Sequence, residues 1–215
     1  MSATISEAQY DDLLEFLQPS SRADVRQAAL LVLTPESASE AGLGLFRRED
    51  YKLLNALIAL YIGEPVTRPQ VTSIFINLVA TDSNICRIVT ANAELVTTLC
   101  SKNYWRNEHS AKLLSNLTRE AKCCEAVRAN MDVSFMANAL DLMLDSNADT
   151  TLSTYVGFIF RNLTQLQEAR WQLVPTVPSP DQSCLLSRLY SLTTIDDVKR
   201  RAVVVDIVRN CCFDT

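Results

Sequence analysis

Seven cysteines and one histidine are the residues of this chain best suited to nucleophilic catalysis or metal binding. A zinc site needs four ligands at finger-like spacings, and the sequence contains no Cys-x-x-Cys. A nucleophilic cysteine needs a base within hydrogen-bond reach and a third group that orients the base. Because His109 is the only histidine, we expect no enzyme activity, no cofactor and no bound metal.

The adjacent pairs Cys123-Cys124 and Cys211-Cys212 leave one alternative open, a redox or metal-binding role for vicinal thiols. Residues 1–18 carry acids and lack the basic start of a secretory signal. An odd cysteine count without such a signal favours a reducing compartment, where thiols act as small buried apolar residues. We therefore expect a cytoplasmic protein. The apolar stretch Leu53 to Ile62 is too short to span a membrane and is interpreted as a core helix.

Asparagines near the ends of four amphipathic segments offer a different chemistry. They are Asn77, Asn116, Asn162 and Asn210, at steps of 39, 46 and 48 residues. A carboxamide presents a donor and an acceptor together, so a row of them can hold the backbone of an extended peptide. Alternatively, each asparagine ties its helix to a neighbouring unit by side-chain hydrogen bonds to the backbone. The two roles are compatible, and the sequence does not choose between them.

Four further residues beside the asparagines are candidates for partner binding. Arg161 and Arg209 each directly precede an asparagine, whereas Lys112 and Phe158 lie four residues before one and share its helical face. Together they predict a groove for an anionic partner, although the net charge is −5. The competing interpretation is a set of solvated helix faces whose charges are balanced by nearby acids.

Apolar residues recur at helical spacing in most segments, and no segment shows the alternation of a half-buried strand. The fold class is therefore predicted as all-α. Between asparagines the pattern predicts a short, a medium and a long helix, as in residues 123–130, 134–144 and 151–164. Three helices at a period of 40–47 residues are typical of armadillo repeats.

The prediction is a single armadillo-like, right-handed α-solenoid of about four to five three-helix units. Residues 1–34 form a partial first unit. The successive units that follow are predicted at residues 35–81, 82–119, 120–165 and 166–215.

Local signals add smaller predictions about caps and connections. Asp82 and Ser134 are predicted to cap helix N-termini. Residues 35–39 and 174–180, which hold prolines and serines, are predicted to be irregular connections.

Aromatic residues give two further interpretations. Tyr104 and Trp105 lie in a predicted turn, where they either anchor a partner or pack between helices. Trp171 is interpreted as a core residue.

Three segments resemble a known family, the eukaryotic armadillo-like elongation factor 2 chaperones. They are LLSNLTRE (113–120), FRNLT (160–164) and VRNCCFD (208–214), and the last is the most specific. The resemblance spans roughly residues 20–214 and implies a cytosolic, non-catalytic protein that helps fold elongation factor 2 alongside the cytosolic chaperonin. The family continues beyond the RNCCFD segment. We therefore expect this chain to be part of a longer protein or to continue with a partner.

The sequence thus predicts a protein-binding scaffold that uses the concave face built from the third helices. The partners implied by the resemblance are elongation factor 2 and the chaperonin, with no membrane. The alternative is binding of nucleic acid or ribonucleoprotein through the basic edge of the same groove, which would depend steeply on salt.

Overall fold

The computed structural model describes residues 5–101, 104–174 and 184–213, and these are helices and turns with no strand among them. The chain divides into two compact units between Leu95 and Val96. We call them the first and the second unit. The finer division into three-helix repeats stays a prediction.

The first unit is built on a long helix pair, α2 and α4, packed against α3. Leu30, Leu33, Leu53, Ile74 and Phe75 are fully enclosed and form the centre of its core. The helices of this unit are α1 (Glu7–Phe16), α2 (Ala23–Ser37), α3 (Glu40–Gly63), α4 (Arg68–Thr81) and α5 (Ser83–Ala91), and α6 (Ala93–Cys100) contains the boundary.

Asp82 caps α5 as predicted: its carboxylate accepts hydrogen bonds from the backbone N–H groups of Asn84 (2.8 Å) and Ile85 (3.3 Å). The same carboxylate accepts a hydrogen bond from Nε of Arg47 at 2.7 Å. The cap therefore also ties α5 to α3.

The predicted loop at residues 35–39 is wrong, because α2 continues through Pro35 to Ser37. Pro35 lies in the last turn, where its missing N–H removes a single helical hydrogen bond. Hydroxyl groups reinforce this turn, since Thr34 donates to the carbonyl of Leu30 at 2.8 Å and Ser37 donates to that of Thr34 at 2.7 Å.

Helix α3 is interrupted at residues 48–51. Glu49, Asp50 and Tyr51 have φ angles of 46°, 53° and 64°, in the left-handed region that non-glycine residues rarely adopt. The predicted core helix follows this interruption, with Leu53 and Leu57 fully buried.

Three long helices, α7, α10 and α13, organise the second unit, with α10 packed against both of the others. Two α-helices lie between each successive pair of these three. In chain order they are α7 (Glu108–Leu117), α8 (Ala121–Ala129), α9 (Phe135–Leu144), α10 (Thr150–Leu163), α11 (Gln167–Leu173), α12 (Leu185–Tyr190) and α13 (Val198–Cys211).

The predicted cap at Ser134 is wrong. Its side chain makes no capping hydrogen bond, and its backbone N–H instead donates to the carboxylate of Asp132 at 2.7 Å. The turn before α9 is thus an Asx turn rather than a serine cap. The loop predicted at residues 174–180 lies outside the described residues, apart from Val174.

The two tryptophans have opposite environments. Trp105 is 1% exposed, with its ring centroid 5.0 Å from that of Phe135, so it packs between helices. Trp171 is 53% exposed, and its interpretation as a core residue is wrong. The buried residues of α11 are Ala169 and Leu173. Trp171 lies two positions from each of them and therefore on the opposite face of the helix.

Candidate functional site

Asn162 on α10 is an internal brace of the second unit. The residue is 3% exposed. Its Nδ2 group donates to the backbone carbonyl of Ser115 at 3.0 Å and to Oγ1 of Thr118 at 3.1 Å. Both acceptors belong to the end of α7, so one side chain joins two neighbouring long helices.

Asn210 on α13 repeats this geometry one helix later. Its Nδ2 group donates to the carbonyl of Arg161 at 3.2 Å and to Oγ1 of Thr164 at 3.0 Å. In both cases the acceptors are the carbonyl directly before an asparagine and the threonine two residues after it. The Asn-Leu-Thr triplets at 116–118 and 162–164 supply these threonines, a sequence signal for the brace that the initial interpretation did not use.

The two remaining asparagines are half-buried. Asn77 on α4 belongs to the first unit, and its Nδ2 group donates to Oγ of Ser37 on α2 at 3.0 Å. Asn116 lies near the end of α7. The structure therefore shows the bracing role at Asn77, Asn162 and Asn210, whereas partner binding by the row of asparagines stays a prediction.

A polar groove of about 460 Å³ lies where the ends of α7, α10 and α13 come together. It brings together four of the predicted residues, Arg161, Asn162, Arg209 and Asn210. Lys112 and Phe158 are half-buried on α7 and α10 and are not among its lining residues. The full lining consists of Arg119, Arg161, Asn162, Gln165, Asp206, Arg209 and Asn210.

Three arginines line this groove, and two of them share one carboxylate. Oδ1 of Asp206 lies 3.1 Å from Nη2 of Arg209, and its Oδ2 lies 3.9 Å from Nη1 of Arg161. Arg119 is exposed at the same surface. The groove is therefore positively charged within a chain of net charge −5, and it favours anionic ligands.

Phe158 has a supporting position beside the groove. The guanidinium carbon of Arg161 lies 5.0 Å from the centroid of its ring, a cation–π contact, and Tyr155 meets the same ring edge-on at 6.3 Å. The ring of Phe158 thereby orients the side chain of Arg161.

Gln165 also lines the groove and was missed by sequence reasoning. It lies beyond the end of α10, where no periodic pattern applies.

The solvent exposure of the cysteine thiols differs along the chain. Cys123 and Cys124 are each 1% exposed, whereas Cys212 is exposed. Burial raises the pKa of Cys124 to about 12, with smaller contributions from Glu125 and Cys123.

Within the described residues, no three His, Cys, Asp or Glu side chains are grouped as a metal site would require. No described helix combines the length and the apolar character needed to cross a bilayer.

Solved structures share this fold at low sequence identity. A designed armadillo repeat protein, crystallised with the peptide (KR)4, has a TM-score of 0.69 and 14% identity over 95% of this chain and 82% of its own. An engineered protein reaches a TM-score of 0.73 at 13% identity, over 95% of this chain and 48% of its own. These similarities confirm the predicted all-α, armadillo-like solenoid class.

Curated relatives carry the name Protein HGH1 homolog. The protein from Xenopus tropicalis is 27% identical over 94% of this chain and 56% of its own length. The one from Rattus norvegicus is 32% identical over 94% and 53%, and the one from Homo sapiens is 30% identical over 97% and 54%. The chain thus spans about half the length of the curated relatives it matches.

These relatives confirm the resemblance to the elongation factor 2 chaperone family, to which the HGH1 proteins belong. Residues 71–215 match the family described as "Domain of unknown function (DUF383)". Since this match covers well over half of the chain, the protein belongs to the DUF383 family.

Proposed function

We propose that this protein is a non-catalytic, cytoplasmic protein-binding scaffold that assists the folding of elongation factor 2 together with the cytosolic chaperonin. Its relationship to the HGH1 proteins and its armadillo-like fold support this proposal. Armadillo-like solenoids present an extended surface suited to polypeptide partners.

One observation carries the proposal: three arginines from the ends of α7, α10 and α13 line a single groove. The asparagine braces hold these helix ends at fixed spacing. Helix ends at fixed spacing suit a polypeptide partner, because little backbone conformational entropy of the scaffold is lost when the partner binds.

Under this proposal the predicted site residues have different tasks. Arg161 and Arg209 contact the client, with Phe158 orienting Arg161. The side-chain carbonyl oxygen of Asn210 can accept a hydrogen bond from the client backbone, since its Nδ2 group already donates within the brace. Asn116 is half-buried near the end of α7 and stays a predicted partner-binding residue. The remaining predicted residues act more indirectly: Asn77 and Asn162 position their helices, and Lys112 adds positive charge on α7.

The test is co-precipitation of newly made elongation factor 2 from a eukaryotic translation extract. We expect the double variant Arg161→Gln/Arg209→Gln to recover at least about fivefold less client than the wild-type chain, since two charge contacts are lost. The matched control is Arg22→Gln/Lys52→Gln, which removes two exposed positive charges from the first unit. Equal recovery by the double variant and the wild type would refute the role of the groove.

The nucleic-acid alternative makes a different prediction in the same experiment. RNA neutralised by several arginines would be released steeply as salt rises. Recovery of RNA only at low salt, without elongation factor 2 at any salt, would replace the proposal with this alternative.

A further inference from the structure

The groove of the second unit already contains one carboxylate, that of Asp206. Its side chain is 32% exposed and lies between two arginines, 3.1 Å from Arg209 and 3.9 Å from Arg161. The two arginine side chains remain 65% and 37% exposed. Both guanidinium groups therefore keep donors that face solvent, although they share a single acceptor.

Asp206 lies in the interior of α13, and its i, i+3 pair with Arg209 also supports that helix. Lys112 and Phe158 occupy the equivalent positions four residues before Asn116 and Asn162. Of these three positions, that on α13 is the one with an acid, which lies beside the arginines of the groove.

We propose that the groove binds an acidic peptide segment, and that Asp206 acts as an internal competitor in the place that a client carboxylate occupies. This inference rests on the proposed function, because it assigns a ligand chemistry to the same surface. A carboxylate from the client would pair with Arg161 and Arg209 while the side chain of Asp206 swings out to solvent. Arg119 then supplies a further contact for a second acid.

A peptide carboxylate fits this groove better than a nucleic-acid backbone. The guanidinium fork matches a planar carboxylate, and Asp206 demonstrates that two arginines can converge on one. The aromatic pair Tyr155 and Phe158 beside Arg161 adds an apolar contact for a neighbouring client side chain.

The experiment measures binding of a fluorescein-labelled octaglutamate peptide to the full chain by fluorescence anisotropy at low ionic strength. We expect Asp206→Asn to bind the peptide about threefold to tenfold more tightly, because both arginines lose their internal partner. Arg161→Gln/Arg209→Gln should bind it at least about tenfold more weakly. Octaglutamine serves as the uncharged control peptide.

The chain offers a matched control pair for these substitutions. Arg22 and Asp24 form an exposed ion pair at 2.7 Å in the first unit, with side chains 82% and 64% exposed. Asp24→Asn and Arg22→Gln should leave octaglutamate binding unchanged. Thermal unfolding followed by circular dichroism verifies that each variant is folded.

Three results would overturn the inference. They are unchanged or weaker octaglutamate binding by Asp206→Asn, equal binding of octaglutamine, and tighter binding of an oligouridylate RNA than of octaglutamate. If elongation factor 2 recovery still depends on Arg161 and Arg209 while octaglutamate does not bind, the proposed function stands and this inference fails. If octaglutamate behaves as expected but no elongation factor 2 is recovered, the client assignment fails and the ligand chemistry stands.

Discussion

Two arginines, Arg26 in the first unit and Arg209 in the second, differ in burial and in the number of their partners. In the first unit, Arg26 is 9% exposed, and its guanidinium donates to Glu64 at 2.9 Å and to the backbone carbonyls of Pro19 and Ser21. In the second unit, Arg209 is 65% exposed and pairs with Asp206 alone among the described ion pairs. The first arginine is bonded within the fold, and the second keeps donors that face solvent.

The asparagines explain how the second unit can leave its arginines exposed. Asn162 and Asn210 each join two long helices through a carbonyl and a threonine hydroxyl. Asn77 in the first unit bonds to one serine hydroxyl, and this unit adds the ion pairs Arg26–Glu64 and Arg47–Asp82. Neutral amides thus join the long helices of the second unit, whose ion pair Arg188–Asp141 lies elsewhere, between α12 and α9, whereas the first unit adds two ion pairs to its amide.

The largest difference is expected between Arg26→Gln and Arg209→Gln. Loss of Arg26 leaves Glu64 and several carbonyls without their partner in a largely buried site, so the free energy of unfolding should fall by about 3 kcal/mol. Loss of the exposed Arg209 should change it by less than about 0.5 kcal/mol. Urea denaturation followed by circular dichroism measures both, and similar losses in the two variants would break the comparison.

A second prediction concerns the asparagine braces. Asn162→Ala removes two hydrogen bonds from a buried amide and should lower the free energy of unfolding by about 2 kcal/mol. Asn77→Ala removes the one hydrogen bond from its amide to Ser37, in a half-buried place, and should cost about 1 kcal/mol. The same denaturation experiment applies, and a loss at Asn77 equal to that at Asn162 would show that both units are braced alike.

A third prediction uses the pH dependence of the first unit. Burial raises the pKa of the Asp82 carboxyl, but hydrogen bonds from Arg47 and from the N–H groups of Asn84 and Ile85 outweigh burial, so the pKa is lowered below its ordinary 3.8. The ionised carboxylate therefore stabilises the folded state above about pH 4, and this contribution disappears as the pH falls through the lowered pKa.

Asp82→Asn should accordingly cost about 1 kcal/mol at pH 7, and the difference from the wild type should shrink towards zero near pH 2. The matched control is Asp24→Asn, whose exposed pair with Arg22 should contribute less than about 0.5 kcal/mol. Denaturation curves at several pH values measure the free energy of unfolding of both proteins. A difference between Asp82→Asn and the wild type that does not change with pH would exclude stabilisation by the ionised Asp82 carboxylate.

A stability effect of the same size as that of Asp82→Asn is expected at Thr164 of the second unit. Thr164→Val removes the hydroxyl that accepts from Asn210 while keeping the side-chain shape, and it should cost about 1 kcal/mol. Thr81→Val, at an exposed hydroxyl that donates to the carbonyls of Asn77 and Leu78, should cost less than about 0.5 kcal/mol. A double-mutant cycle of Thr164→Val with Asn210→Ala tests whether these two residues are energetically coupled.

Much of the fold could be predicted because helical periodicity depends on burial, which a sequence pattern records directly. Helices α8, α9 and α10 fall within a few residues of their predicted limits. The direction of each asparagine carboxamide could not be predicted, since a polar side chain near a helix end can face a partner or a neighbouring helix. In both braces the acceptors lie one residue before and two residues after the asparagine of the preceding long helix. This repeated arrangement becomes visible only when α7, α10 and α13 are packed together.

Errors in the sequence interpretation share a physical cause. Trp171 was assigned to the core from its apolar type, but α11 turns Ala169 and Leu173 inwards and leaves the ring outside. Pro35 suggested an irregular connection at residues 35–39, although a proline in the last turn of a helix interrupts little. In both cases tertiary packing overrides a residue's average preference.

The most direct test of the account compares elongation factor 2 recovery by the wild type, Arg209→Gln and Arg26→Gln, with the amount of folded protein held equal. The account predicts that Arg209→Gln loses client without losing stability, whereas Arg26→Gln loses stability but recovers client normally per folded molecule. Normal recovery by Arg209→Gln, together with a loss confined to Arg26→Gln, would contradict the assignment of the partner surface to the second unit.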